Sequence, residues 1–214
     1  MKIFGDAVIL CGGESKRMPF DKSFAKISGR YMIDVIYEKL AVCFENVRLC
    51  ADSGQRFRAL DLKENKIRII EDIIKDRIGP AAGILSALSH ATTKYVFIVA
   101  NDMPLADPDH IEFMKHMLER DSFRQDALIP VNGGYIEPLY GFYAASLSGR
   151  FMEEINAGNY KIHRILEKIN VLYMDEKHSR KYSEDLAMFT NINSVSDLER
   201  LNDRQNKHNQ IRKQ

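Results

Sequence analysis

Short, continuously apolar runs rich in β-branched residues alternate along this chain with longer stretches of helical period, and that alternation confines it to an α/β fold. The runs are Ala7 to Leu10, Val47 to Ala51, Ile67 to Ile70, Tyr95 to Val99 and Ala127 to Val131. They are short and apolar enough to be buried on both faces of a mostly parallel sheet. Between them, Tyr31, Val35, Ile36, Leu40 and Cys43 recur at helical spacing, as do Ile84, Leu85 and Leu88, then Ile111, Met114, Met117 and Leu118. The last set opens at a cap: Asp107 is placed to accept backbone N–H bonds, and Pro108 stands at the first helical position.

After residue 131 the rhythm changes. Gly133-Gly134 opens a turn, Tyr135 to Tyr143 is aromatic and extended, and helical stretches follow around Leu147 to Ile155 and Ile162 to Ile169. This second half is expected to add an antiparallel element at the sheet edge and to cover one end. No Pro-, Gly- or Ser-rich linker divides the chain, so residues 1–201 are expected to form one domain with two functional halves. Residues 202–214 are almost entirely polar and read as a solvated helix end or a disordered tail.

Bulk properties exclude several functions. Of the 214 residues 45% are apolar, enough for a sizeable core. Lys and Arg number 31 against 30 Asp and Glu, so no charge excess drives binding to nucleic acid or anionic lipid. Three cysteines without CxxC spacing indicate neither a disulfide framework nor a zinc site and fit a reducing, cytoplasmic compartment. The run Ala7 to Cys11 is too short for a signal-peptide core or a membrane span, so no membrane partner is expected.

The chemistry-bearing segment follows the first strand: Leu10-Cys11-Gly12-Gly13-Glu14-Ser15-Lys16-Arg17-Met18-Pro19-Phe20-Asp21-Lys22. In an open parallel sheet the ligand sits at the carboxyl ends of the strands, and paired glycines let main-chain N–H groups approach phosphate oxygens closely. Arg17 and Lys22 supply charge for a polyphosphate. The same segment also reads as a surface turn with solvated cations. It matches neither G-x-x-x-x-G-K-[ST] nor G-x-G-x-x-G, which removes P-loop kinases and dinucleotide dehydrogenases. Asp102, at the carboxyl end of the Tyr95 to Val99 strand, is the candidate ligand for Mg²⁺, an ion that needs only one or two protein carboxylates when phosphates and water complete its shell. Glu71-Asp72 follows the third strand, Gly79-Pro80-Ala81-Ala82-Gly83 leads into a helix, and Asn191-Ile192-Asn193 precedes Ser194, a cap for the helix around Leu198 and Leu201.

In this order, L-x-G-G-x-S-x-R-M, D-K, Gly-Pro-x-Ala-Gly, D-M-P and N-I-N, the chain resembles the molybdenum cofactor guanylyltransferase family of nucleotidyltransferases from about Val8 to Leu201. The resemblance implies a Rossmann-like nucleotidyltransferase fold with helices flanking a mostly parallel central sheet. It implies transfer of GMP from GTP to molybdopterin bearing molybdenum, with Mg²⁺ as cofactor and pyrophosphate released. Other molybdenum cofactor biosynthesis proteins and apo-molybdoenzymes are the partners it implies. Carried over by residue, Leu10, Cys11, Gly12 and Gly13 contact the nucleotide, Arg17 and Lys22 its phosphates, Asp72 the nucleoside and Asp102 the metal. Asn191 and Asn193 line the reaction centre, and Lys161 falls loosely where the family places cations toward the pterin phosphate. Cys11 stands for the usual alanine, Asn101 for a common cysteine, Cys50 for an asparagine of some members and Pro19 for a glycine, which removes one main-chain donor beside the phosphates. Alternatives of the same fold are a CTP-dependent molybdopterin cytidylyltransferase and a sugar-phosphate nucleotidyltransferase. A non-catalytic nucleotide-binding module is the alternative from another class.

Overall fold

A computed structural model describes residues 1–12, 22–57, 67–76 and 78–211. Each sequence-predicted strand is present: β1 (Asp6–Leu10), β4 (Asn46–Ala51), β5 (Arg68–Glu71), β6 (Tyr95–Ala100) and β7 (Ala127–Asn132). A two-stranded hairpin, β2 (Lys26–Ile27) and β3 (Arg30–Tyr31), lies outside the main sheet, and β8 (Tyr135–Ile136), β9 (Tyr140–Ala144) and β10 (Val171–Met174) complete the set. The sheet runs β10-β7-β9-β6-β1-β4-β5, with β8 paired to β7. β1 is parallel to both β4 and β6, and β5 and β10 are parallel to their neighbours.

Two expectations need correction. The antiparallel element is not at the edge: β9 is inserted between β6 and β7 and runs antiparallel to both. Gly141 makes this possible, because a Cβ there would stand 2.8 Å from the Leu128 carbonyl oxygen and 2.6 Å from Ile129 Cδ1. All five β9 residues are buried, which is why an aromatic run belongs in the interior of the sheet. Conversely, β5 is the edge strand and buries only Ile70 of its four residues. The edge opposite is β10, four residues following a helical stretch.

Six helices sit where the sequence places them: α1 (Met32–Cys43), α2 (Pro80–Ser89), α3 (Pro108–Arg120), α4 (Ser148–Asn156), α5 (Ile162–Leu166) and, after the short α6 (Glu176–Ser179) that no pattern marked, α7 (Val195–Ile211). Asp107 caps α3 as expected, its carboxylate accepting from His110 N–H at 3.1 Å. Gly79 (φ +92°) and Pro80 start α2; the positive φ turns the chain into a helix whose first φ proline pre-sets. The polar segment after residue 201 continues α7 to Ile211, the helical of its two readings.

The connections fix where a ligand can sit. From β1 through α1 the chain steps to β4 and on to β5; through α2 it returns across β4 and β1 to β6. Right-handed crossovers in opposite directions place α1 and α2 on opposite faces. The direction reverses between β1 and β6, and at such a switch point the helices diverge and leave a crevice at the strand ends. Gly12 follows β1 there, and Asp102 follows β6.

His110, on the first turn of α3, braces the chain segment that returns to this crevice. Its ring is fully buried against Tyr140, Tyr182 and Phe189, and Nε2 lies 3.1 Å from Ser179 Oγ. Among the described residues Nδ1 has no partner, so a second proton would be buried with none of them to accept its bond. Burial holds the imidazole down to about 4, with the Asp107 charge opposing. The unfolded chain therefore binds a proton near the ordinary 6.5 that the native state refuses, and stability falls as pH drops from 6.5 toward 4. The loss is expected to be about 3 kcal/mol at most. Denaturant midpoints measured across that range are expected to fall less steeply in His110→Gln; parallel pH profiles for variant and wild type would count against a neutral buried ring.

Candidate active site

Three side chains from distant parts of the sequence meet beside the β6 terminus. Lys22 Nζ donates to Asp102 Oδ2 at 3.1 Å and to Asn193 Oδ1 at 2.5 Å. Both Lys22 and Asp102 are largely enclosed, with side chains 17% and 18% exposed. The backbone holds them in place: Asn101 N–H donates to Leu10 O at 3.1 Å, tying the ends of β1 and β6, and Ile192 N–H donates to Asp102 O at 2.8 Å. Asn101 Nδ2 also donates to Ser23 Oγ at 3.3 Å, which anchors the turn carrying Lys22 (residues 22–24).

The start of α7 frees Asn193 for this role. Ser194 Oγ accepts from Asp197 N–H at 3.2 Å, and Asp197 Oδ2 accepts from the backbone N–H groups of Asn193 (3.1 Å) and Ser194 (2.9 Å). Ser194 and Asp197 thus form a reciprocal cap, leaving the Asn193 side chain to Lys22. Asn193→Ala is expected to keep the thermal midpoint within about 2 °C, since capping uses only the backbone of residue 193. It should lower nucleotidyl transfer about tenfold while GTP still binds, the size of a lost hydrogen bond in the reacting complex. A lowered midpoint with unchanged single-turnover transfer would instead make Asn193 a structural residue.

Asn191 is placed differently. Its side chain is exposed and Nδ2 donates to Phe189 O at 3.3 Å within its own turn, so it does not join the Lys22 cluster. Lys161 is the residue before α5 and shows no contact with the cluster. Gly13, Arg17 and Pro19 lie outside the described residues.

The second group lies toward β5. Cys11 N–H donates to Cys50 O at 2.7 Å, and Asp72 N–H donates to Ala51 O at 2.9 Å. Cys50 Sγ lies 3.2 Å from Asp72 Oδ1 and 3.6 Å from Gly83 O. Burial, reinforced by the Asp72 charge, pushes the Cys50 thiol up, so it stays a neutral donor that orients the carboxylate. A Cβ on Gly83 would stand 3.2 Å from Leu10 Cδ2 and 3.8 Å from Asp72 Oδ1, so the absence of a side chain in α2 lets Leu10 and Asp72 close on the helix. Gly12 is exposed, and among the described residues nothing lies within 4 Å of a would-be Cβ.

Asp102 Oδ2 and Asn193 Oδ1 are two hard oxygen donors already gathered around a cation, the Lys22 ammonium. That donor set suits Mg²⁺. Among the described residues no group of three or more His, Cys, Asp and Glu could hold a metal, so from those residues an ion here would draw on Asp102 and Asn193, with phosphate and water able to complete its shell. None of the three cysteines is in a disulfide. Among the described residues no helix is long and apolar enough to cross a membrane.

A mostly parallel sheet flanked by helices, with an exposed glycine after β1 and a lysine-paired aspartate after β6 at the switch point, is the architecture of a nucleotidyltransferase. The chain belongs to the MobA-like NTP transferase domain family, whose model matches residues 7–174, and to its molybdenum cofactor guanylyltransferases. It is 34% identical to the molybdenum cofactor guanylyltransferase of Syntrophotalea carbinolica over 197 residues, which cover 92% of this chain and 90% of that protein. The probable molybdenum cofactor guanylyltransferase of Peptoclostridium acidaminophilum is also 34% identical, over 92% of this chain and 88% of its own length. Among solved structures, molybdopterin-guanine dinucleotide biosynthesis protein A from Archaeoglobus fulgidus superposes with a TM-score of 0.80 at 30% identity, covering 94% of this chain and 99% of that one.

Proposed function

We propose that this chain transfers GMP from GTP to molybdopterin bearing molybdenum, forming the guanine dinucleotide cofactor and releasing pyrophosphate. The observation that carries the reading is the meeting of Lys22, Asp102 and Asn193 at the switch-point crevice, in a chain whose relatives bear that activity in their names. The chain works as one domain, residues 1–201, with its first half on the nucleotide and its second half on the acceptor.

The attacking group is a terminal phosphate, anionic at neutral pH, so no side chain has to remove a proton. The protein's task is alignment and charge neutralisation as the acceptor oxygen bonds to the α-phosphorus and the bond to pyrophosphate breaks. Leu10, Cys11 and Gly12 face the nucleoside and phosphates, and Asp72, oriented by Cys50, accepts from the base. Lys22 and Arg17 offset the charge of two approaching anions. Asp102, with Asn193 beside it, would hold Mg²⁺, which supplies further neutralisation and draws phosphate oxygens into line when bound. Asn191 lies on the same turn and lines the acceptor side. The work takes place in a reducing, cytoplasmic setting, where three cysteines outside any disulfide are at home.

The test is pyrophosphate release from each of the four nucleoside triphosphates, with and without molybdopterin. Release that needs both GTP and molybdopterin is expected; equal release with CTP, or release with a sugar phosphate as acceptor, would overturn the reading.

A further inference from the structure

Glu137 lies on the same rim as Asp102, on the far side of the reaction centre from Asp72. It sits between β8 and β9, two residues before Leu139, whose carbonyl accepts from Ala100 N–H at 3.0 Å at the very end of β6. Its backbone is fixed at both ends: Glu137 N–H donates to Pro130 O at 2.9 Å, and Tyr140 N–H donates to Glu137 O at 3.0 Å. Among the described residues its half-buried carboxylate has one partner, Asn132 Nδ2, which donates to Oε1 at 3.0 Å. No cation among those residues pairs with it, and burial raises the carboxyl above its ordinary range against the Asn132 bond. A partly buried carboxylate is costly without compensation, and among the described residues the Asn132 bond is what offsets that cost. Tyr135 is the cross-strand partner of Asn132, shares its face of the β7–β8 hairpin and is 80% exposed.

The proposed reaction joins two heterocycles with the same hydrogen-bonding edge. Guanine and the pterin both carry a ring N–H beside an exocyclic amino group, two parallel donors that a carboxylate accepts through its two oxygens. On this rim Asp72 stands on one side of Asp102 and Glu137 on the other. Asp72 follows β5 and Glu137 precedes β9, four strand spacings apart, roughly 19 Å. Resting on guanylyl transfer as the reaction, we propose that Glu137, held by Asn132, is the specificity residue that accepts from the amino and ring N–H groups of the acceptor's pterin, with the Tyr135 ring as the adjoining stacking surface. Asp72 then reads one heterocycle and Glu137 the other, with the phosphates between them.

The probes are 6-hydroxymethylpterin and 6-hydroxymethyllumazine, which has an oxygen in place of the amino group; binding is followed by the ligands' own fluorescence with GTP bound. The wild-type protein is expected to bind the pterin at least tenfold more tightly than the lumazine. Glu137→Gln should abolish the preference while GTP affinity stays within twofold. Tyr135→Ala should weaken both ligands about equally, because stacking does not see the amino group. Glu137→Asp keeps the charge and should retain part of the preference, which guards against a Glu137→Gln protein that fails to fold. If wild type makes dinucleotide but shows no preference, or Glu137→Gln keeps it, the role of Glu137 is overturned and guanylyl transfer stands. If the preference depends on Glu137 but no dinucleotide forms from GTP and molybdopterin, guanylyl transfer is overturned while pterin recognition at Glu137 stands.

Discussion

Asp102→Asn is expected to lower Mg²⁺-dependent turnover by two to three orders of magnitude and leave the fold intact. The carboxamide is nearly isosteric, and the contact that ties residue 102 to the C-terminal segment, Ile192 N–H to its carbonyl at 2.8 Å, belongs to the backbone. What is lost is charge. An anionic oxygen becomes a neutral amide, so Mg²⁺ loses its carboxylate ligand and the Lys22 ammonium loses its counter-charge. Removing one preorganised electrostatic contact from a transition state costs about 3–4 kcal/mol, and two anions approaching each other should feel it at least as strongly. The check is the rate of pyrophosphate release across a Mg²⁺ titration, with the thermal midpoint of each preparation. A variant that recovers wild-type turnover at saturating Mg²⁺ would sink the metal role of Asp102. Slow turnover with a midpoint many degrees lower would reassign the residue to structure.

How much of this site is visible in the sequence depends on how far apart its parts lie. Asp102 can be placed from local pattern alone, because an apolar run ending in Asn-Asp-Met-Pro puts a carboxylate at a strand's carboxyl end. Nothing local links it to Lys22, 80 residues away, or Lys22 to Asn193, 171 residues away. Those pairings follow only from the order of motifs shared with a family, and that order equally favoured Asn191, whose side chain the structure turns back onto its own loop. The same distinction runs through the fold. Buried parallel strands are legible because burial on both faces demands continuous apolar residues. β10 (Val171–Met174) is not, since only Asn170 separates it from the helical run to Ile169 and no Gly or Pro marks the break. The Tyr140 to Ala144 run reads as extended, but its position inside the sheet depends on Gly141 meeting the Leu128 backbone, a contact between strands that no periodicity encodes. Glu137 belongs to no motif and becomes visible only when its burial, its lone Asn132 partner and its place on the rim are known.

Lys22→Ala should weaken GTP binding about 10- to 100-fold and GMP binding by less than threefold. An ammonium carries three donors. Asp102 Oδ2 and Asn193 Oδ1 take two of them, which leaves one N–H for a phosphate oxygen without breaking either bond. A hydrogen bond to a charged group contributes about 1.5–3 kcal/mol, which is that fold-change in affinity. GMP lacks the β- and γ-phosphates, so most of the contact's value should be missing from its binding. Arg17→Ala is expected to act in the same direction. Lys22→Arg should recover little, because a planar guanidinium cannot point three donors at an aspartate, an asparagine and a phosphate as a tetrahedral ammonium does. Calorimetry with GTP and GMP on one preparation decides the matter. Equal losses for the two nucleotides would move Lys22 away from the polyphosphate and leave it only the task of joining residue 193 to the end of β6.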